Sequence, residues 1–282
     1  MKKLFTSLFI TLVSINIMAW EYEMPEFEWS ASTDITSSYL WRGMNLGGLS
    51  LQPDINISYA GLSADLWFNV GPADWTFADM APEFDFTISY SIAGLTIGVN
   101  HQFYFEEGQK YFDFHQMTTA EFDQEDPALG YNTNLTEVSL EYDFSEVLEN
   151  VPLTLAWYTF VTGDDCYKDE NGNVKQAYST YISATYDWEA LEGFTVSPTI
   201  AVTPWKSTYN YYEGNFSVAN LALKLDYEKE LTDHFSFHVW AEGTMRPFKM
   251  NKENLFISPN HETLYHCDQR LNGAIGIGFN FY

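Results

Sequence analysis

Apolar and polar positions alternate through the last stretch of the sequence, residues 270–282. The two faces of the predicted strand are Leu271, Ile275, Ile277, Phe279 and Phe281 on one side and Asn272, Ala274, Gly276, Gly278 and Asn280 on the other. Such period-2 alternation predicts a β-strand whose two faces have different surroundings. The sequence ends on this strand, and pairing with the first strand of a closed barrel would remove its open edge. In a membrane that closure is obligatory, because lipid cannot hydrogen-bond an open edge.

The same alternation predicts eleven earlier strands. They are Phe27–Trp41, Leu51–Tyr59, Leu62–Val70, Glu83–Ile92, Leu95–Phe105, Glu137–Phe144, Pro152–Val161, Tyr178–Trp188, Phe194–Thr203, Phe216–Tyr227 and Phe235–Arg246. A phase slip at Ala219 and Asn220 predicts a bulge in the tenth strand. Connections after even-numbered strands are short, whereas those after most odd-numbered strands are longer. This pattern indicates an antiparallel up-and-down transmembrane β-barrel of twelve strands, with short periplasmic turns and longer extracellular loops. A β-sandwich also has alternating strands, but it does not need outward aromatic strands of this length with this loop bias.

The N-terminus has the pattern of a secretory signal. Lys2 and Lys3 precede an apolar core at Leu4–Ile17, and Met18-Ala19 offers a small residue for cleavage. We therefore predict a signal peptide at residues 1–19, a periplasmic segment at 20–26 and the barrel at 27–282. No later window has about 18 consecutive apolar residues, as a spanning helix requires. Aromatic residues make up 18% of the chain, which suits the interface girdles of a barrel.

The first strand and hairpin resemble a known family. Ser37 to Gly43 reads S-S-Y-L-W-R-G, and the following hairpin contains G-L-S-A-D-L-W-F-N-V. This is similar to bacterial outer-membrane β-barrel proteins of largely unassigned function whose first strand ends in S-D-Y-x-F-R-G. This chain departs from the motif at two positions, with Ser38 in place of the Asp and Trp41 in place of the Phe. The resemblance implies the barrel and an outer-membrane location, and it implies no activity.

The net charge of −26 argues against nucleic acid and anionic surfaces as partners. The expected partners are outer-membrane lipid, the barrel assembly machinery and small polar or cationic solutes. The sequence indicates no cofactor and does not indicate an oligomeric state.

The chain has three arginines, Arg42, Arg246 and Arg270, at the predicted outer ends of strands one, eleven and twelve. In a closed barrel these strands are neighbours, so the three side chains are predicted to form a basic patch at the mouth. Such a patch could hold a carboxylate or phosphate. The alternative, which is favoured, is that they neutralise inward acids such as Asp34 or Glu242 and pin the seam between the first and last strands.

Many acids fall on the predicted inner face, and Lys224 is the only mid-strand lysine there. The inward acids are Asp34, Asp54, Asp65, Glu83, Asp85, Glu137, Glu141, Asp143, Asp187, Asp226 and Glu242. A charged lining is what an aqueous pore requires, and rings of acids bias a pore towards cations. A plugged, salt-bridged interior is the alternative.

The two cysteines, Cys166 and Cys267, fall in the fourth and sixth outer loops. A pair in an oxidising compartment is usually bonded, so a disulfide across the mouth is predicted, with two separate thiols as the alternative. The fourth loop is rich in acids but lacks the spacing of a Ca²⁺ loop, so no metal site is predicted there.

The leading function is therefore a channel for small polar solutes. One alternative is a non-conducting structural or ligand-binding barrel, which a mouth sealed by Trp75, Phe77 and Tyr104 would favour. The last alternative is a barrel hydrolase acting on lipid or peptide. Ser236, His238 and Glu242 share a predicted inner face, but His238 and Glu242 are about 13 Å apart at four residues along a strand. No catalytic residue is assigned.

Overall fold

Twelve long strands form one antiparallel sheet that closes on itself. The computed structural model describes residues 26–71, 82–105, 110–122, 134–148, 150–210, 216–247 and 270–282, so the predicted signal peptide lies outside the described residues. The barrel strands are β1 (Phe27–Thr36), β2 (Ser50–Tyr59), β3 (Leu62–Asn69), β4 (Glu83–Ile92), β5 (Leu95–Tyr104), β6 (Leu135–Asp143), β7 (Leu153–Gly163), β8 (Thr180–Tyr186, continued by Trp188–Leu191), β9 (Phe194–Thr203), β10 (Ser217–Thr232), β11 (Phe235–Met245) and β12 (Leu271–Phe281). Each strand pairs with the next along the chain, and β12 pairs with β1, with Ile35 opposite Ile277. The predicted twelve-stranded up-and-down barrel is confirmed.

The predicted outer and inner faces are also confirmed. Ile88, Leu223, Val239 and Ile277 are between 39% and 47% exposed on the outside of the barrel, which is the apolar outer surface expected of a barrel in lipid. The residues between them in sequence point inward and carry most of the polar groups of the strands. The closing strand follows the same rule, because Ala274 and Gly278 are buried inside while Ile275 and Ile277 are exposed.

One end of the barrel carries short turns, and the chain enters and leaves the barrel at this short-turn end. The dipeptides Ala60-Gly61 and Ala93-Gly94 each close a two-residue hairpin, with φ near +51° at the alanine and near +80° at the glycine. Two positive φ values define the type I′ turn that matches the twist of paired strands, and glycine accepts such a φ without strain. The opposite, long-loop end carries the longer connections.

The first strand ends five residues earlier than predicted. β1 stops at Thr36, and the chain then turns inward to form a small hairpin of Tyr39–Trp41 and Met44–Gly47 inside the barrel, which we call the loop-1 hairpin. The prediction of an unbroken strand through Trp41 is wrong because the apolar residues of this stretch pack inside the barrel and not against lipid.

The remaining differences are smaller. β10 extends to Thr232, which leaves only Asp233 and His234 in the turn before β11. The predicted bulge is confirmed, since pairing with β9 passes from Asn220 to Val218 and skips Ala219. Among the described residues, no helix is long and apolar enough to cross a membrane; α1 (Thr119–Phe122) has four residues.

Part of the third long loop lies on the outside of the wall. His101 and Phe103 of β5 point outward yet are buried, because Phe114 packs 4.5 Å from the His101 ring and Tyr111 stacks 4.6 Å from Phe103. The following residues form an exposed ion-pair cluster in which His115 contacts both Asp113 and Glu121.

Candidate functional site in the barrel lumen

The loop-1 hairpin spans the lumen near the long-loop end. Its two-residue turn, Arg42-Gly43, again has two positive φ values, 47° and 84°. Gly43 lies against β10, where a Cβ would approach that of Asn220 to 2.6 Å, and its carbonyl accepts a hydrogen bond from Asn272 of β12 at 2.9 Å. At the other side of the lumen the Tyr39 ring lies 5.5 Å from the Trp67 ring of β3. The hairpin is thus held from both walls.

An apolar cluster surrounds the hairpin inside the barrel. Met44 is buried with five other fully buried residues from β7 to β10 and the fifth long loop: Phe160, Tyr181, Ala201, Tyr209 and Ala219. Burying a side chain of the size of Met contributes about 1.5–3 kcal/mol, so the cluster anchors the hairpin. Trp41 joins it, with ring centroids 6.0 Å from Phe160 and 5.8 Å from Tyr209. This end of the lumen therefore contains a packed core.

Arg42 makes a bidentate ion pair with Glu137 of β6. Its Nη1 and Nη2 donate to the two carboxylate oxygens at 2.5 and 2.7 Å, and Nη1 also donates to the Tyr209 hydroxyl at 2.6 Å. The guanidinium lies 4.0 Å from the centre of the Tyr158 ring, a cation–π contact. The pair is buried, and buried bidentate pairs are among the strongest side-chain contacts when both partners are present.

The three arginines do not form one patch. Arg42 reaches β6 and not the seam, because the chain leaves β1 at Thr36 and carries Arg42 across the lumen. Arg246 is buried and donates from Nη2 to the Tyr209 carbonyl oxygen at 2.9 Å. Arg270 is exposed at the long-loop end, where its carbonyl oxygen accepts the Arg246 backbone N–H. The prediction that all three meet beside Asp34 or Glu242 is wrong, but Arg42 does neutralise one of the predicted inward acids, Glu137. Arg42 and Arg246 both contact Tyr209.

Asp34 instead binds two ring nitrogens from β11. His238 Nε2 lies 3.1 Å from Asp34 Oδ1, and Trp240 Nε1 donates to the same oxygen at 3.0 Å. Both rings must pass over β12 to reach β1. They can do so because Gly276 and Gly278 face the lumen there, and a Cβ on Gly276 would lie 2.5 Å from the Trp240 ring. The glycines of the closing strand thus make room for the seam contacts.

The same network continues away from the seam. His238 Nδ1 lies 3.3 Å from Asp226 Oδ2, and Lys224 Nζ lies 3.4 Å from the same oxygen. Glu242 lies within electrostatic range of Lys224. On β6, Glu141 lies beside the Tyr158 hydroxyl and within range of Arg42. Five inward acids therefore have positively charged neighbours, namely Asp34, Glu137, Glu141, Asp226 and Glu242.

The wall formed by β2 to β5 differs, and we call it the acidic wall. The three rows of lumen-facing side chains nearest the long-loop end carry its acids. They are Gln52, Asn69, Glu83 and Tyr104 nearest the long-loop end, then Asp54, Trp67, Asp85 and Gln102, and then Asn56, Asp65, Thr87 and Asn100. No Lys, Arg or His faces the lumen from these four strands, which are described throughout.

Several acceptor oxygens of this wall have no hydrogen-bond partner among the described residues. They are Asp54 Oδ1, Glu83 Oε2, Asp85 Oδ1 and Asn100 Oδ1. The amide nitrogen of Asn100 donates to Thr87 at 2.9 Å and to Asp85 Oδ2 at 3.4 Å, which directs the amide oxygen away from both. Buried polar atoms are normally satisfied, so these oxygens call for a donor or a cation.

The structure bears differently on the predicted catalytic group, metal site and sealed mouth. Ser236 Oγ donates to Glu228 at 2.5 Å while His238 binds Asp34 and Asp226, so the structure does not bring this serine and histidine together. Among the described residues, no group of three or more His, Cys, Asp or Glu side chains is arranged to hold a metal ion. Trp75 and Phe77, two of the residues predicted to seal the mouth, lie outside the described residues.

Cys166 is buried, and its predicted bond to Cys267 stays a prediction because the partner residue is not among those the structure describes. Cys166 begins a short hairpin of the fourth long loop, in which Cys166–Lys168 pairs with Val174–Gln176. Its Sγ donates to the Gly163 carbonyl oxygen at 3.4 Å. Burial raises the pKa of this thiol. Cys267 itself lies outside the described residues.

Sequence reasoning missed the aromatic side chains that face the lumen. Trp67, Tyr158 and Tyr181 sit at inward positions of their strands, and strand parity alone could have identified them. Tyr209 comes from a 3₁₀ turn, Thr208–Asn210, in the fifth long loop and has no such signal.

The chain matches no protein-family model and no curated protein. Solved structures of similar shape include the NanC porin, at 10% identity and a TM-score of 0.49 over 90% of this chain and 100% of that one. The KdgM porin aligns at 8% identity and a TM-score of 0.40, over 90% of this chain and 98% of that one. An outer-membrane channel from Pseudomonas putida F1 aligns at 10% identity and a TM-score of 0.41, over 93% of this chain and 96% of that one. These are likenesses of barrel architecture, and they carry no argument about what this chain binds.

Proposed function

We propose that this protein is a bacterial outer-membrane channel for small polar solutes, with a preference for cations. The acidic wall is the observation that carries the proposal. Four carboxylates, Asp54, Asp65, Glu83 and Asp85, face the lumen on β2 to β4 with no base on the same wall. Unpaired charges in a dry interior cost several kcal/mol each, so such a wall fits a lumen that holds water or cations. Acid-lined pores favour cations.

The outer-membrane location is supported by the form of the barrel. Bacterial outer-membrane barrels have an even number of strands, an apolar outer band, short periplasmic turns and long extracellular loops, and this chain combines all four features. On this orientation the loop-1 hairpin lies near the extracellular mouth. Outer-membrane lipid and the barrel assembly machinery are the partners that such a protein requires. Membership of the family with the S-D-Y-x-F-R-G-like strand is supported by residues 37–43, which here build the hairpin.

A second candidate is a barrel that binds a ligand without conducting. It is favoured by the loop-1 hairpin, because Tyr39 and Met44 are buried inside the barrel and Arg42 is clamped to the far wall. If the hairpin stays in place and fills the cross-section, solutes could reach the acidic wall only from the short-turn end. The two candidates share the acidic wall and differ only in whether the hairpin end lets solutes through.

Planar-bilayer recording of refolded protein separates the candidates. A channel gives discrete conductance steps in KCl. Arg42→Gln removes the ion pair that holds the hairpin to β6, so it should raise the open-channel current or make it fluctuate more. Glu228→Gln is the matched control, since it changes a lumen carboxylate at the short-turn end that does not touch the hairpin. A wild-type barrel that is folded but electrically silent, as is Arg42→Gln, would contradict the channel and favour the binding barrel.

A further inference from the structure

We propose that the acidic wall is a binding site for a small organic ammonium ion, held over the Trp67 ring between carboxylates. The inference deepens the proposed function by naming a class of solute, and it concerns only residues of β2 to β5. Trp67 lies at the centre of the wall. Asp54 and Asp85 flank it in the same row, on the neighbouring strands.

The carboxyl groups of the wall lie in two close pairs, Asp54 with Asp65 and Glu83 with Asp85, on the two sides of Trp67. Asp54 and Asp85 are two strand spacings apart, about 9–10 Å, with the indole between them. Asp65 lies two residues before Trp67 on the same strand, about 7 Å away. Metal ions need several oxygens that converge to about 2–2.6 Å, and among the described residues no group of three or more His, Cys, Asp or Glu side chains is arranged in this way. A quaternary or substituted ammonium ion is wider, binds aromatic faces and is stabilised by carboxylates around the ring.

A buried carboxylate oxygen on this wall is an independent indication that the wall binds a cation. Glu83 is 1% exposed, and its Oε2 has no hydrogen-bond partner among the described residues. Its carboxylate contacts the hydroxyls of Tyr39 and Tyr104 and the carboxyl group of Asp85, so two acidic groups face each other here. Together with Asp54 Oδ1, Asp85 Oδ1 and Asn100 Oδ1, every unsatisfied atom that this wall turns towards the lumen is an acceptor. A cation or an N–H donor would satisfy them, whereas an anion would not.

The loop-1 hairpin closes the site at the long-loop end. The Tyr39 ring packs 5.5 Å from Trp67 at an interplanar angle of 47° and is itself buried. Asp54, Trp67 and Asp85 of the second row and Asp65 of the third row remain partly exposed. A ligand would therefore lie below Tyr39, with one aromatic ring beside it and another capping it.

Calorimetry on the refolded barrel in detergent tests the site with choline as the probe. Its neutral isostere, 3,3-dimethylbutan-1-ol, has the same shape without the charge. We expect saturable choline binding and at least tenfold weaker binding of the isostere. Trp67→Leu and Asp85→Asn should each weaken choline binding about tenfold, which corresponds to 1.4 kcal/mol. Asp85→Asn removes a charge from an unpaired cluster, so a loss of binding there is not expected to come from a loss of folding.

Glu242→Gln is the matched control, because it removes one carboxylate from the lumen on β11, away from the wall. It should keep choline affinity within about twofold. Equal affinity for choline and its isostere, no choline binding, or a loss in Glu242→Gln equal to that in Asp85→Asn would overturn the site. Choline binding by a barrel that does not conduct would leave the site standing and remove the channel, whereas conduction without choline binding would do the reverse.

Discussion

Replacing Gly278 by Ala gives a sharp test of how the barrel closes. Gly278 faces the lumen on β12, between Asp34 of β1 and His238 of β11. A Cβ at this position would overlap both the His238 ring and the Asp34 carboxylate. The added methyl must therefore be squeezed in or must separate His238 from Asp34, whose atoms lie 3.1 Å apart.

The expected magnitude follows from these two outcomes. Overpacking costs about 1–3 kcal/mol, and losing a hydrogen bond to a charged group costs about 1.5–3 kcal/mol. The two costs are alternatives, so about 2 kcal/mol is expected, offset by about 0.4–1 kcal/mol from the reduced entropy of the unfolded chain. Gly243→Ala is the control, because Gly243 faces outward on the adjacent strand with no atom within 4 Å of its added Cβ. It should be neutral or stabilising.

Equilibrium urea unfolding in lipid vesicles, followed by tryptophan fluorescence, measures both variants. His238→Ala removes one of the two groups that the new methyl meets and frees the Asp34 side chain to move away. Adding Gly278→Ala in that background should therefore cost less, with a coupling of about 1–2 kcal/mol. If Gly278→Ala were as stable as Gly243→Ala, or equally destabilising with and without His238, the described seam would be wrong.

Three further outcomes are expected. Arg42→Gln and Glu137→Gln should each lower the free energy of unfolding by about 3–5 kcal/mol, and the double variant by less than the sum, because each single change leaves a buried charge alone; additive losses in urea unfolding would contradict the pair. Cys166 should react slowly with iodoacetamide in the folded barrel and quickly after unfolding without reductant, since burial raises its pKa; a thiol that appears only after reduction would show a disulfide. The hydrogen bond to Asp113 raises the pKa of His115 above its ordinary value of 6.5. The ion pair therefore stabilises the third loop fully below pH 6.5, and this stabilisation is lost as the pH rises through the raised pKa. An NMR titration should show the raised His115 pKa in the wild type and a lower one in Asp113→Asn.

The barrel itself could be predicted from the sequence because its two faces meet two different solvents. Ile275 and Ile277 face outward while Ala274 and Gly278 face the lumen, so apolar residues alternate with small or polar ones along the strand. Turn dipeptides such as Ala60-Gly61 then fixed where strands end. The bulge at Ala219 was visible for the same reason, since one extra residue reverses the alternation.

The candidate site was harder to predict because it depends on a segment that leaves the wall. Tyr39 and Trp41 continue the alternation of β1, so the sequence offered no signal that they turn inward at Ser37. Once they do, Arg42 moves from the seam to Glu137, and the supposed arginine patch separates. The acids of β2 to β5 were found by parity alone, but the central place of Trp67 among them appears only when neighbouring strands are in register.

The central claim is that the lumen selects cations through the acidic wall. The reversal potential of the refolded protein in a tenfold KCl gradient tests it most directly. We expect a sign that shows K⁺ passing in preference to Cl⁻ at neutral pH, and a smaller potential when Asp54 and Asp85 are both changed to Asn. A reversal potential near zero, or one that shows Cl⁻ preference, would contradict the account.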